Sequence, residues 1–300
     1  MIDANPYVAG GYQVLKLETH LHTLHSDGQH SVAAMFEACR SASYDAVALT
    51  DHNTLSGRDE AATAARRLGL VLVPGVEVTT FRGHAVVLGV SSVPEWRDLL
   101  DADRGMDRLA EDVHAQGGVV CVSHPAALGS PICSGCAWAW SVEPASIDLW
   151  EVFSAPRPGS DVALELWRQL LAAGGHAAPV AAGDVHSSSA AARRKPATYV
   201  YVVDSSPAGI VQALREGRVF ASAGPRLDFW LQNGAGEIAL VGGHVAPTPT
   251  PSGWITCLSG PGVVRQIELN DGARCLYAER RAADQRLEAI SAPIWIDSSH

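Results

Sequence analysis

The stretch ETHLHTLHSDG, residues 18 to 28, places His20, His22 and Asp27 close together directly after the apolar run YQVLKL. Imidazole nitrogen and carboxylate oxygen are the donors that divalent zinc, manganese and iron accept. Alternate residues of an extended segment point to the same side, so His20 and His22 aim together, as do Asp184 and His186 in GDVHS. Between these two segments His52 ends LTDH, Glu77 stands in GVEVTT, His84 in GHAVVLG and His124 in SHP. Together these residues exceed what one tetrahedral ion can use, and two or three divalent ions (Zn, Mn or Fe) are expected. Asp51, next to His52, reads as a group that orients a ligand. A lone histidine at a strand end is more often a hydrogen-bonded structural residue, but here the whole set falls at the ends of candidate strands. His30, His114, His176 and His244 fit the structural reading, and His25 is out of phase with His20 and His22.

Donors this far apart in the chain meet only if the elements carrying them converge. Short apolar runs alternate with Ala-rich helical stretches over the first two thirds, the pattern of a parallel α/β architecture. Candidate strands are QVLKLETH, DAVALTDH, LVLVPGVEVTT, HAVVLGV, GVVCVSHP, IDLWEVF and PVAAGDVH. SVAAMFEACRSAS, SGRDEAATAARRLG, GMDRLAEDVHAQG and DVALELWRQLLAAGG read as helices. In a parallel barrel the carboxyl ends of the strands gather at one face, which would collect the donors there. After about residue 222 the helical period gives way to Gly, Pro and short alternating runs such as RLDFWLQ and RQIELND. The expected organisation is a barrel over 1–222 followed by a small, β-sandwich-like all-β domain over 223–300.

Composition narrows the function classes. The 300 residues are 47% hydrophobic and 18% charged, enough for a sizeable core. A net charge of −10, from 22 Lys+Arg against 32 Asp+Glu, argues against a general nucleic-acid or anionic-membrane surface. No secretory leader and no apolar run of spanning length is visible, and six scattered cysteines read as reduced thiols, so a cytoplasmic protein acting on a small molecule is expected. Cys133 and Cys136 have the C-x-x-C spacing of zinc or redox sites, without a second pair in sequence to complete one. Their loop, SPICSGCAWAW, is read as facing a substrate, with Trp138 and Trp140 either walling a pocket or packing in the core. No G-x-S-x-G motif appears, which argues against a covalent acyl-enzyme.

The ordered series HLHTLHSDG, LTDHN, GVEVTT, GHAVVLG, SHP and GDVHS resembles the PHP (polymerase and histidinol phosphatase) superfamily of metal-dependent hydrolases over about residues 15 to 205. The tryptophan loop, TYVYV, GRVFASAGPRLDF and APIWI further resemble its carbaryl-hydrolase-like branch. The resemblance implies a distorted (β/α)7 barrel with two or three metals. It implies His20, His22, Glu77 and Asp184 around the first, Glu77 bridging to a second at His84 and His124, and Asp27, His52 and His186 around a third. It also implies hydrolysis by a hydroxide shared between metals, with Asp184, Glu77 and His186 catalytic. Phosphate esters are the leading substrates, bound with help from Arg193, Arg194 or Arg226; carbamates or carboxylic esters, bound at Trp138 and Trp140, are the runner-up. A non-catalytic metal-dependent binding module is the alternative of another class.

Overall fold

The computed structural model describes residues 5–97, 105–133, 135–154, 160–193, 196–246, 254–269 and 272–297. Its elements are, in order, α1 (Pro6–Ala9), β1 (Gln13–Glu18), α2 (Val32–Ser41), β2 (Ala46–Leu49), α3 (Arg58–Leu68), β3 (Val71–Thr80), β4 (Gly83–Leu88), α4 (Gly105–Ala115), β5 (Val119–Val122), β6 (Leu149–Ser154), α5 (Ser160–Ala172), β7 (Ala178–Ala182), α6 (Ser188–Ala191), β8 (Ala197–Val202), α7 (Pro207–Arg215) and β9 (Val219–Ser222). They continue with β10 (Phe229–Gln232), β11 (Ile238–Leu240), β12 (His244–Val245), β13 (Ile255–Leu258), β14 (Val263–Glu268), β15 (Arg274–Arg281), β16 (Leu287–Ser291) and β17 (Ile294–Ile296). Local chemistry sets several boundaries. Ser31 and Ser206 cap α2 and α7 by accepting from the third backbone amide onward, and Gly69, left-handed at φ 66°, ends α3.

The fold is mixed α/β around one curled sheet in which β1 to β7 lie side by side in chain order. A parallel bridge between Leu21 and Val185 brings the segment after β7 back against the segment after β1. The expectation of uniformly parallel βα units needs correction. β3 and β4 pair antiparallel, as do β4 and β5, and β8 lies antiparallel to β1. Only Phe81 and Arg82 separate β3 from β4, whereas a parallel crossover needs roughly a dozen residues or more. Beyond residue 222 the described residues form strands and turns without helix; β16 pairs with β9, so β12 and β14 to β17 extend the same sheet, while β10, β11 and β13 form a separate three-stranded sheet.

Alternation along the strands separates two layers. Val47 and Leu49 of β2 join the cluster holding Met35 and Phe36 of α2, while Ala46 and Ala48 join Leu17, Val73, Val86, Leu88, Val119, Cys121, Leu149 and Val180 inside the curl. The inward positions stay apolar up to one end of the sheet and then become polar. Continuing the same alternation, Val73 leads to Glu77, Val86 to His84, Leu149 to Glu151 and Val180 to Asp184. Because β4 runs backwards, its contribution to that end comes from its beginning, at His84 next to the turn. Among the described residues no helix is long and apolar enough to cross a membrane.

Candidate metal centre

His20 and His22 flank Leu21 in an extended segment held from both sides. Val185 N donates to His20 O (3.1 Å), His22 N to Val185 O (2.8 Å), and Thr50 N to Leu21 O (3.0 Å). Leu21 packs among the apolar residues beneath α2 and α3, and the two imidazoles therefore turn the other way, both fully buried. Glu77, also fully buried, stands at the centre of the group. Its Oε2 lies 3.1 Å from His20 Nε2, 3.2 Å from His22 Nε2 and 3.0 Å from His52 Nδ1. Its Oε1 lies 3.1 Å from His84 Nδ1 and 3.2 Å from His124 Nε2. Asp184 Oδ1 closes the first set at 3.5 Å and 3.4 Å from the Nε2 atoms of His20 and His22.

A third set is more open. Asp27 Oδ2 is 3.4 Å from His52 Nε2 and 3.2 Å from His186 Nε2, and Asp27 Oδ1 is 3.7 Å from His22 Nδ1. Asp51 anchors the loop that carries Asp27 by accepting from Thr23 N (2.8 Å), Thr23 Oγ1 (2.7 Å) and Ser26 Oγ (2.6 Å).

The donors fit divalent ions on three grounds. Two ligands about 2.1 Å from one ion at tetrahedral or octahedral angles stand about 3.0–3.4 Å apart, which matches most of these separations. His20 Nε2, both ring nitrogens of His22, Glu77 Oε2, His84 Nε2 and His124 Nδ1 are buried without a hydrogen-bond partner, a costly arrangement for a folded interior. The electrostatics are those of a set short of positive charge. Burial works against charge on Glu77, yet His20, His124 and His22 hold its carboxyl well below the usual range. Burial likewise opposes a charged His20, but Glu77, Glu151 and Asp184 keep its pKa well above that of free imidazole. At His52, Asp27 and Glu77 overcome burial and push the pKa up to about 10. His124 (φ 30°) and Asp184 (φ 44°) sit in left-handed backbone that non-glycine residues seldom occupy, and such strain concentrates at functional sites.

Two contributors escaped sequence reasoning. Glu151, 1% exposed, accepts from His20 Nδ1 (2.8 Å) and from His124 N (2.6 Å). Its signal was available, as the single acid in the apolar strand LWEVFS, in phase with inward-facing Leu149. Cys136 also comes close: one ring nitrogen each of His84 and His124 and its sulfur lie within 4.8 Å of one another, all three residues buried. The expectation of reduced thiols fails at this loop, where Cys133 and Cys136 form a disulfide.

Other expected residues sit elsewhere. Trp140 is buried in the core and its Nε1 donates to Thr80 Oγ1 (3.2 Å); a Cβ on Gly83 would come within 2.8 Å of the Trp138 ring and 3.1 Å of the Trp140 ring. Both tryptophans thus clamp the β3–β4 hairpin, and Trp138 remains partly exposed. Arg226 donates to Asp228, which also accepts from Tyr201 Oη and Asn5 Nδ2. Tyr201 pairs with Val14 at the start of β1, whereas the donors follow the end of β1, so Arg226 is at the opposite end of the curl. Arg193 is exposed just beyond α6, and Arg194 lies outside the described residues. His25 contacts Ser56 and Glu60, and His30 accepts from Ser188 N; neither joins the donor sets.

Residues 18–129 match the PHP domain family. A 5'-3' exoribonuclease of Haemophilus influenzae is 37% identical over 65 residues, 22% of this chain and 24% of that protein. An uncharacterized protein of Methanocaldococcus jannaschii is 26% identical over 154 residues, covering 47% of this chain and 82% of that one. The chain thus spans about a quarter of the first of these relatives and most of the second. In overall fold it is similar to a two-domain Bacteroides vulgatus protein described as containing a predicted PHP-like metal-dependent phosphoesterase, with a TM-score of 0.57, 16% identity, and 94% and 96% of the two chains covered.

Proposed function

We propose that this protein is a metal-dependent hydrolase of phosphate esters, either monoesters or small diesters. The observation that carries this reading is the division of Glu77, with one carboxylate oxygen among His20, His22 and His52 and the other between His84 and His124. Glu77 would hold cations together with the histidines on either side of it. Divalent ions held there would supply Lewis acidity toward a phosphoryl oxygen and an activated water near neutral pH. Glu151 fixes His20 with its Nε2 toward the centre, and Asp51 fixes the loop bearing Asp27. Asp184, between His20, His22 and His186, is placed to orient the attacking water and take its proton, while His186 Nδ1 donates to the Asp184 backbone carbonyl (2.9 Å) and so holds that ring in place.

The match to the PHP domain and the local likeness to an exoribonuclease support phosphate over other esters. With Arg226 remote, charge neutralisation at the phosphate falls to the centre itself. A hydrolysis screen of metal-replete protein against phosphomonoesters, phosphodiesters, carbamates and aryl esters tests the reading. Turnover of a phosphate ester that disappears in Asp184→Asn is expected. Carbamate or aryl-ester turnover tenfold above every phosphate ester would overturn the substrate class, and full metal content without any turnover would favour a binding module.

A further inference from the structure

The C-x-x-C loop is bound tightly to the element that carries His84. Gly135 (φ 77°) is pressed so close that a Cβ there would lie 2.1 Å from Thr80 O, and Ala139 N donates to Arg82 O (2.6 Å). Trp140 adds its bond to Thr80 Oγ1. These contacts place Cys136, 1% exposed, beside His84 and His124. Each of those rings directs one nitrogen at Glu77 Oε1 and keeps the other, His84 Nε2 and His124 Nδ1, buried without a hydrogen bond. Two imidazoles and a sulfur form a donor set of the zinc type. In the structure that sulfur is committed to Cys133.

We propose that Cys136 is a redox-gated ligand: reduced, its thiolate joins His84 and His124 on a divalent ion, and the Cys133–Cys136 disulfide withdraws it. The inference rests on a metal held by His84 and His124 but not on the reaction catalysed at the centre. The chemistry balances with small thiols and peroxide as partners. Two molecules of a thiol reduce the disulfide to two protein thiols and leave as their own disulfide, and Cys136 then releases its proton on binding the ion. In the reverse direction hydrogen peroxide takes two electrons and two protons from the dithiol, giving the disulfide and two waters. A loop held by a hairpin on one side and a disulfide on the other has only to exchange the sulfur's partner for this, without refolding.

Cobalt(II) is the probe, because thiolate coordination adds a sulfur-to-cobalt charge-transfer absorption that nitrogen and oxygen ligands do not. Full-length protein is loaded with cobalt and cycled between small-thiol reduction and peroxide, with cobalt content measured in each state. Reduced wild type and Cys133→Ser are expected to show the band; oxidised wild type and Cys136→Ser are expected to lack it. A reduced wild type with full cobalt content and no band, or a band that persists in Cys136→Ser, overturns the proposal and leaves the hydrolase reading standing. Failure of every form to retain cobalt overturns both. The wild-type redox cycle needs no variant to fold and decides the matter by itself.

Discussion

Glu151→Gln isolates the support of the centre from its ligands. The carboxylate accepts two hydrogen bonds, from His20 Nδ1 at 2.8 Å and from His124 N at 2.6 Å, in a site 1% exposed. The amide keeps one acceptor oxygen, which the His124 backbone amide takes because it can only donate. The amide nitrogen then faces His20 Nδ1 and is satisfied only if that nitrogen carries the lone pair. This tautomer puts the proton on Nε2, the atom aimed at Glu77 and Asp184, and so blocks it as a ligand. Without metal the ring is free to choose the compatible tautomer; with metal the donors face each other, at a cost of about 1–3 kcal/mol. Since about 1.4 kcal/mol is tenfold, affinity is expected to fall roughly 10–100-fold, as for other partners behind metal-ligating histidines. Competition for zinc against a chromophoric chelator measures this, and thermal melts of the metal-free proteins test the fold. Zinc affinity within about twofold of wild type would refute the reasoning, as would a loss of metal-free stability large enough to account for the whole effect.

Elemental analysis of undialysed protein is expected to find two to three transition-metal ions per chain, and near zero after attempted reloading with Mn or Zn would contradict the centre. Asp184→Asn and His22→Ala are expected to lose both metal and turnover with an unchanged circular dichroism spectrum, while His114→Ala, whose ring pairs with Asp148 at 2.8 Å, retains both. His52, with its pKa pushed up to about 10, is protonated at neutral pH in the metal-free protein, so a cation must displace that proton. Metal affinity is therefore expected to rise with pH toward about 10, and calorimetry at pH 7 in buffers of different ionisation enthalpy should show net proton release; buffer-independent heats would contradict it. Arg226→Ala, half exposed and paired with Asp228, is expected to cost about 1 kcal/mol or less and to leave kcat/KM within about twofold, whereas a tenfold loss would return Arg226 to the substrate site.

Much of the centre was legible because its information is local. The period of two sends His20 and His22 to one side of the chain and Leu21 to the other, and the spacing of apolar runs marks β1 to β7 and the helices between several of them. The two-residue link at Phe81 and Arg82 carries a hairpin signal that the expectation of parallel strands passed over, because no parallel crossover is that short. What the sequence by itself determined is therefore which side chains share a face and where each segment turns. Tertiary structure decided the rest. The partition of the two Glu77 oxygens, the pairing of Glu151 with the His20 ring and the His124 backbone amide, and the approach of Cys136 to His84 all depend on how strands distant in sequence register against one another. Arg226 shows the same limit from the other side. Its charge made it a candidate for phosphate, but the antiparallel register of β8 against β1 carries its partner Tyr201 to Val14, away from the donors. Residue type and spacing constrain direction along a strand; distance across a sheet is set only when the sheet has formed.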